Sequence, residues 1–179
     1  IGLGHVGKEI ARIGKCFGMK IYAINRSGST DINVDFIGKP EDLDYVLSNS
    51  DIVIVSVPLT KHTRGLIGRR ELSLMKQAAI IVNVSRGGII QEDALYEHLV
   101  SNPSFIACLD VWWRYPERGS TTCFQNLPFH KLDNVIMTPH IAGFAREIRH
   151  IVISHAVENI RMFIETGRPR NIISRDDYI

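Results

Sequence analysis

The chain begins IGLGHVGKEIA (residues 1–11). Gly2, Gly4 and Gly7 set out G-x-G-x-x-G, the pattern of a tight strand-to-helix turn whose backbone N–H groups receive a dinucleotide pyrophosphate. Such a turn needs a strand in front of it, and only Ile1 stands there. In a doubly wound sheet that strand is central, with a neighbour on each side. Without it, two rows of backbone groups face each other unpaired, each buried group costing about 1–3 kcal/mol. We therefore expect a longer protein with a preceding domain, and expect residues 1–179 alone to be loosely folded and inactive.

Outward from the turn, Val6, Ile10, Ile13 and Phe17 recur at the spacing of one helical face, and Gly18 is placed to end that helix, which predicts a helix over 5–17. MKIYAI (19–24) reads as a short buried strand, and PEDLDYVLS (40–48) as a helix with proline at its start. DIVIVSVP (51–58) is a run of β-branched residues suited to a strand covered on both faces. Strand-like AIIVNVS (79–85), helical EDALYEHLV (92–100), and strand-like FIACLDV (105–111) and NVIMTP (134–139) follow. Strands alternating with helices predict an α/β fold with a doubly wound parallel sheet, Rossmann-like, lacking most of its first strand. Residues 143–166 predict one long amphipathic helix, ended by GRP. The tail NIISRDDYI (171–179) has no partner strand within the chain.

Bulk properties exclude several classes. With 179 residues, 45% hydrophobic and 22% charged, the chain has the composition of a soluble globular domain. A net charge of +2 with scattered positive residues lacks the basic footprint of a nucleic-acid binder. Cys16, Cys108 and Cys123 are odd in number and without metal-ligand spacing, which reads as reduced thiols and no metal site. No apolar stretch approaches the roughly 20 residues that span a bilayer. We expect a cytoplasmic protein.

Four further segments carry a more specific signal: VPLTKHTRGLIG (57–68), LMKQAAIIVNVSRGGIIQEDAL (74–95), ACLDVWWRYP (107–116) and NVIMTPHIAG (134–143). In order, spacing and wording, from Gly2 to about Gly167, the chain resembles the D-isomer-specific 2-hydroxyacid dehydrogenase family. The resemblance implies that residues 1–143 form the dinucleotide-binding domain. Residues 144–179 are then a crossover helix and tail returning to a substrate domain that precedes Ile1.

It also implies roles. Arg86 matches the arginine that binds substrate carboxylate and carbonyl oxygen, a task for a permanently charged planar fork. His140 matches the general acid/base that protonates the carbonyl oxygen, work suited to a group titrating near neutrality. Gly4, His5, Val6 and Gly7 would face the pyrophosphate. Pro58 and Thr63 would lie near the adenosine half, Val84 and Asp110 near the nicotinamide, and Gly143 closes the H-x-x-G. Asp110 has a second reading, as a strand-end aspartate capping a turn.

One departure matters. The family usually has Glu-Pro five residues after that aspartate, and the glutamate pairs with the catalytic histidine. Here Tyr115-Pro116 stands in its place. Formate dehydrogenase-like members carry a neutral glutamine there. Tyr115 is favoured as the partner of His140, with Glu117 as the alternative.

The cofactor signal lies in INRSG (24–28). NAD enzymes place an acidic residue about 20 residues after the glycine turn, whereas an arginine accommodates a 2′-phosphate. Asn25 takes the acidic position, and Arg26 and Ser27 follow, which predicts NADP(H) in preference to NAD(H). The expected function is hydride transfer between NAD(P)H and a 2-oxo acid or D-2-hydroxy acid of the glyoxylate, hydroxypyruvate or phosphoglycerate kind. Alternatives are a formate dehydrogenase-like oxidation and a non-catalytic NAD(P)-binding sensor. The family is commonly dimeric, so a homodimer is expected. Trp112, Trp113 and Tyr115 suit either an interface or the core.

Overall fold

The computed structural model describes residues 1–115, 126–145, 148–173 and 175–177. Helix α1 (His5–Cys16) starts at Gly4 and stops where Gly18 turns left-handed at φ +74°. Strands β1 (Tyr22–Ile24) and β2 (Phe36–Gly38) pair in parallel, and α2 (Leu43–Asn49) follows a 3-10 turn at Pro40–Asp42. Next come β3 (Ile52–Val55), α3 (Arg69–Leu74), β4 (Ile80–Asn83), α4 (Glu92–Ser101), β5 (Ile106–Leu109), β6 (Val135–Met137) and α5 (Ile148–Thr166). Strands β3, β4, β5 and β6 form a parallel sheet in that order. Neither β2 nor α3 was visible as a pattern, because three and six residues are too few to show a period.

Ile1 and Gly2 join the two sheets. The Ile1 nitrogen donates to Ile54 O at 2.7 Å and Ser56 N donates to Ile1 O at 2.9 Å, while Gly2 N donates to Ile24 O at 2.9 Å. These are ladder bonds to β3 on one side and β1 on the other, so the two residues occupy the lane of a central strand. Continuing that lane is a cleft of about 720 Å³ walled by α1, β1 and β3. Ile13, Phe17, Met19 and Ile52 along its rim are 41–76% exposed. Helix α1 therefore differs from expectation in its packed face. Its small residues Gly7, Ala11 and Gly14 are buried, while Ile10, Ile13 and Phe17 line the cleft.

The core sits on the other side. Along β3, β4 and β5 alternate residues Val53, Val55, Ile81, Ala107 and Leu109 are buried, and all of these but Val55 pack with Leu47, Leu72, Leu95 and Leu99 of the helices. Burying each valine, leucine or isoleucine among them contributes about 1.5–3 kcal/mol. The opposite face, expected to be covered, is only half-buried at Ile54, Val82 and Cys108. Nothing in α5 is buried, and Ile151, Val152, Ile160 and Phe163 are exposed along it. That helix also starts later than residue 143, because Phe144 N bonds back to Ile141 O in a turn. Trp112 and Trp113 prove to be core residues. Trp112 is buried with its indole donating to Thr138 O at 3.1 Å, and Trp113 stacks on Phe129 and donates to Ile90 O at 2.6 Å. Among the described residues no helix is long and apolar enough to cross a membrane.

Candidate active site

The residues singled out from sequence gather at the carboxyl ends of the parallel strands, where open α/β sheets bind ligands. A crevice of about 610 Å³ opens there, lined by Val6 of α1, residues 56–59 after β3, and Val84, Ser85 and Arg86 after β4. The larger cleft beside α1 is a gap in the sheet, and none of the candidate catalytic side chains lines it.

The glycine turn forms the floor. A Cβ on Gly7 would lie 2.1 Å from Gly2 O, so only glycine permits this approach. Ser56, which the sequence reading missed, locks the turn by donating to Gly2 O at 2.7 Å. Gly4 is different, since a Cβ there would meet nothing within 4 Å. Packing within the chain does not explain that glycine. Helix α1 has no side-chain N-cap and no acid in its first turn, so its N-terminal N–H groups and positive dipole end are uncompensated. His5, Val6 and Gly7 supply this first turn.

The loop after β1 is built around Asn25. Its Oδ1 accepts from Gly28 N at 2.7 Å and Ser27 Oγ at 3.1 Å, and its Nδ2 donates to Ser29 O at 2.7 Å. Asn25 thus shapes the turn, leaving Arg26 to project with 80% of its side chain exposed. After β3, Thr63 Oγ1 donates to Pro58 O at 2.6 Å and accepts from Thr60 N at 2.8 Å, so its hydroxyl ties the 58–63 loop together.

After β4, buried Asn83 sets up the arginine. Its Nδ2 donates to Arg86 O at 3.0 Å, and its Oδ1 accepts from Ser85 N at 3.1 Å. Gly87 presses so close to Trp112 that a Cβ would lie 2.3 Å from the tryptophan carbonyl. Arg86 is held at the crevice with its guanidinium exposed, Nη1 donating to Ser85 O at 2.6 Å. Val84 borders the same crevice.

After β5 and β6 the loops meet. Asp110 is buried, and its Oδ1 accepts from Thr138 Oγ1 at 2.5 Å and from Ile141 N at 2.9 Å, while Oδ2 accepts from Ala142 N at 2.9 Å. Burial pushes its carboxyl up. The bonds from Thr138, Ala142 and Ile141, with the charge of His140, outweigh that and hold it below the usual carboxylate range. The capping reading of Asp110 is therefore realised. Between those anchors sits His140, in the left-handed region at φ +58°. A side chain held there is strained by about 1–2 kcal/mol. Tyr115 places its ring 5.4 Å from the imidazole centroid, and its hydroxyl accepts from Trp112 N at 3.2 Å. A Cβ on Gly143 would meet nothing within 4 Å. Glu117 and Cys123 lie outside the described residues.

A family model described as the D-isomer specific 2-hydroxyacid dehydrogenase, NAD binding domain, matches residues 1–142. Glyoxylate reductase of Aeropyrum pernix is 36% identical over 98% of this chain and 51% of its own length. Hydroxypyruvate reductase of Thermotoga maritima is 39% identical over 93% of this chain and 52% of its own length. The chain thus spans about half the length of the curated relatives it matches. Among solved structures, a D-isomer specific 2-hydroxyacid dehydrogenase from Xanthobacter autotrophicus Py2, in complex with NADPH and MES, superposes with a TM-score of 0.80. It shares 34% identity over 97% of this chain and 53% of that one. Agreement across nearly the whole chain, with the crevice where the motifs require it, means that the chain belongs to the D-isomer specific 2-hydroxyacid dehydrogenase family.

Proposed function

We propose that the protein carrying this chain is an NADP(H)-dependent oxidoreductase interconverting a small 2-oxo acid and a D-2-hydroxy acid, of the glyoxylate, hydroxypyruvate or phosphoglycerate kind. The observation that carries the reading is the strained His140, in a strand-end loop whose Thr138, Ile141 and Ala142 donate three hydrogen bonds to buried Asp110. A fold keeps a histidine in that conformation where its placement is worth the strain. The nicotinamide, when bound, supplies the hydride. Arg86 offers a fixed guanidinium to the substrate carboxylate and polarises the carbonyl oxygen. His140 holds the proton that this oxygen takes up on reduction, and receives it back on oxidation. Tyr115 positions the imidazole through its ring.

On the cofactor, Arg26 supports NADP(H), because the strand end that would hold a ribose-binding acid carries Asn25 instead, spent on its own turn. The half-buried face of the β3–β6 sheet and the bare apolar face of α5 support residues 1–143 as the nucleotide domain and 144–179 as a crossover serving a substrate domain. A cytoplasmic homodimer that takes no nucleic acid completes the reading. The test is turnover by the complete protein. NADPH consumption with glyoxylate or hydroxypyruvate is expected. Binding of NADPH without turnover on a 2-oxo-acid panel would point to a sensor, and formate-dependent reduction to the formate dehydrogenase-like chemistry.

A further inference from the structure

The tail after α5 does not leave the nucleotide domain untouched. Gly167 turns left-handed at φ +71°, its N–H bonded to Phe163 O at 2.8 Å. The chain is then tied back to the helix by Arg170 N, which donates to Asn159 Oδ1 at 2.6 Å. It ends its described course as a 3-10 turn at Arg175–Asp177. There Asp177 makes two contacts on separate loops. Its carboxylate Oδ2 lies 3.3 Å from Arg26 Nη2, and its backbone oxygen accepts from Lys61 N at 3.2 Å. The first loop follows β1 and the second follows β3, so Asp177 bridges the two loops. Its side chain is only 20% exposed, against 80% for Arg26.

We propose that Asp177 is a specificity-determining residue of the cofactor site, a resident anion that occupies Arg26 and must give way to the 2′-phosphate of NADPH. The proposal rests on the reading of Arg26 as the 2′-phosphate ligand. A carboxylate carries one negative charge, whereas a phosphomonoester near neutrality carries about 1.5–2 and offers three strong acceptor oxygens. The phosphate therefore wins the guanidinium, at an affinity lowered by the competitor. A ribose 2′-hydroxyl carries no charge and cannot make the exchange, so NADH binds with the Arg26–Asp177 pair intact. Asp177 thereby narrows the difference between the two cofactors.

The test is a double-mutant cycle on the complete protein, with NADPH and NADH dissociation constants measured by calorimetry. Asp177→Asn is expected to tighten NADPH by about 1.5- to 5-fold, the range of an exposed ion pair, leaving NADH within 1.5-fold. The gain should shrink in high salt, and vanish in an Arg26→Ala background. Unchanged NADPH binding, equal tightening of both cofactors, or a gain that persists without Arg26 would each overturn the proposal. The underlying reading is judged separately: Arg26→Ala alone should weaken NADPH far more than NADH, and equal losses would remove the 2′-phosphate assignment and the proposal with it.

Discussion

Replacing Asp110 should disable His140 without touching it. Left-handed backbone at a non-glycine residue costs about 1–2 kcal/mol. The opposing grip is the pair of bonds from Ile141 N and Ala142 N to the Asp110 carboxylate, both 2.9 Å, with Thr138 Oγ1 at 2.5 Å beside them. Hydrogen bonds to a charged group contribute about 1.5–3 kcal/mol each, so two of them outweigh the strain and the loop stays in place. Asp110→Ala removes both. The strain is then unopposed, and relaxing it leaves the working conformer at a fraction set by 1–2 kcal/mol, which is about 5- to 30-fold. Reductase kcat in the complete protein should fall by that factor. Asp110→Asn keeps the shape but turns an amide donor toward one of the two N–H groups, leaving one bond against the strain, so a smaller loss is expected.

The assay is steady-state reduction of glyoxylate or hydroxypyruvate, paired with urea denaturation. A companion variant guards against simple misfolding: His140→Asn should abolish turnover yet stabilise the protein by a few tenths to 1 kcal/mol, since asparagine tolerates the left-handed region. An Asp110→Ala protein with kcat within twofold of the parent, or a His140→Asn protein less stable than the parent, would refute the strain argument.

Gly7→Ala should destabilise the chain by about 1–3 kcal/mol in urea, because the new methyl meets Gly2 O at 2.1 Å and neither backbone can retreat; unchanged stability would mean the turn is looser than described. Tyr115→Phe keeps the ring against His140 and should hold kcat within about threefold, losing one hydrogen bond from Trp112 N worth about 0.5–1.5 kcal/mol. Tyr115→Leu should lower kcat further, and equal losses in both would assign the effect to the hydroxyl. His98 packs edge-on against Phe105 with its Nε2 buried and without a hydrogen-bond partner among the described residues, and burial pulls its pKa down. Neutral in the fold and charged when unfolded, it contributes stability that is present above the unfolded value of about 6.5 and lost as pH falls below it. His98→Leu should flatten that acid-side loss in pH-dependent melts, and an unchanged slope would place the acid sensitivity elsewhere.

Much of this was legible because the governing rules are local. Three glycines, a run of β-branched residues and a histidine after a strand are all marked in one dimension. So were α1, α4 and the strands of the core. What stayed hidden depends on distance in the chain. The packed face of α1 differs from its apolar stripe because helical spacing identifies apolar residues but not which neighbour is there to cover them; Gly7, Ala11 and Gly14 are small because elements approach closely. The roles of Ser56 and Asn83 are invisible in the sequence because each binds backbone of a turn, and nothing in a sequence distinguishes such a residue from a solvated one. Trp112 and Trp113 were ambiguous between core and interface until Thr138 O and Ile90 O were seen accepting their N–H groups.

The same distinction bears on Tyr115, a phenol at the position where the family resemblance implies a carboxylate. Orientation and charge are separable tasks. Here orientation is over-determined: three bonds to Asp110 place the loop, Trp112 donates to Thr138 O on the strand end, and the Tyr115 ring lies beside the imidazole. Negative charge near His140 is not missing either, since Asp110 sits one loop turn away with its carboxyl held ionised. A side chain at position 115 therefore needs shape more than charge, and an aromatic ring supplies shape with little conformational freedom to lose. On this account a Tyr115→Glu variant puts a carboxylate beside the His140 imidazole, and opposite charges at close range favour the charged form of each. Its carboxyl should titrate lower than an ordinary glutamate, and NMR titration of the labelled side chain in the complete protein reads that shift directly. A glutamate titrating at or above its ordinary value would mean that the imidazole is electrostatically remote from position 115, and that Tyr115 contributes to the site by something other than lying beside His140.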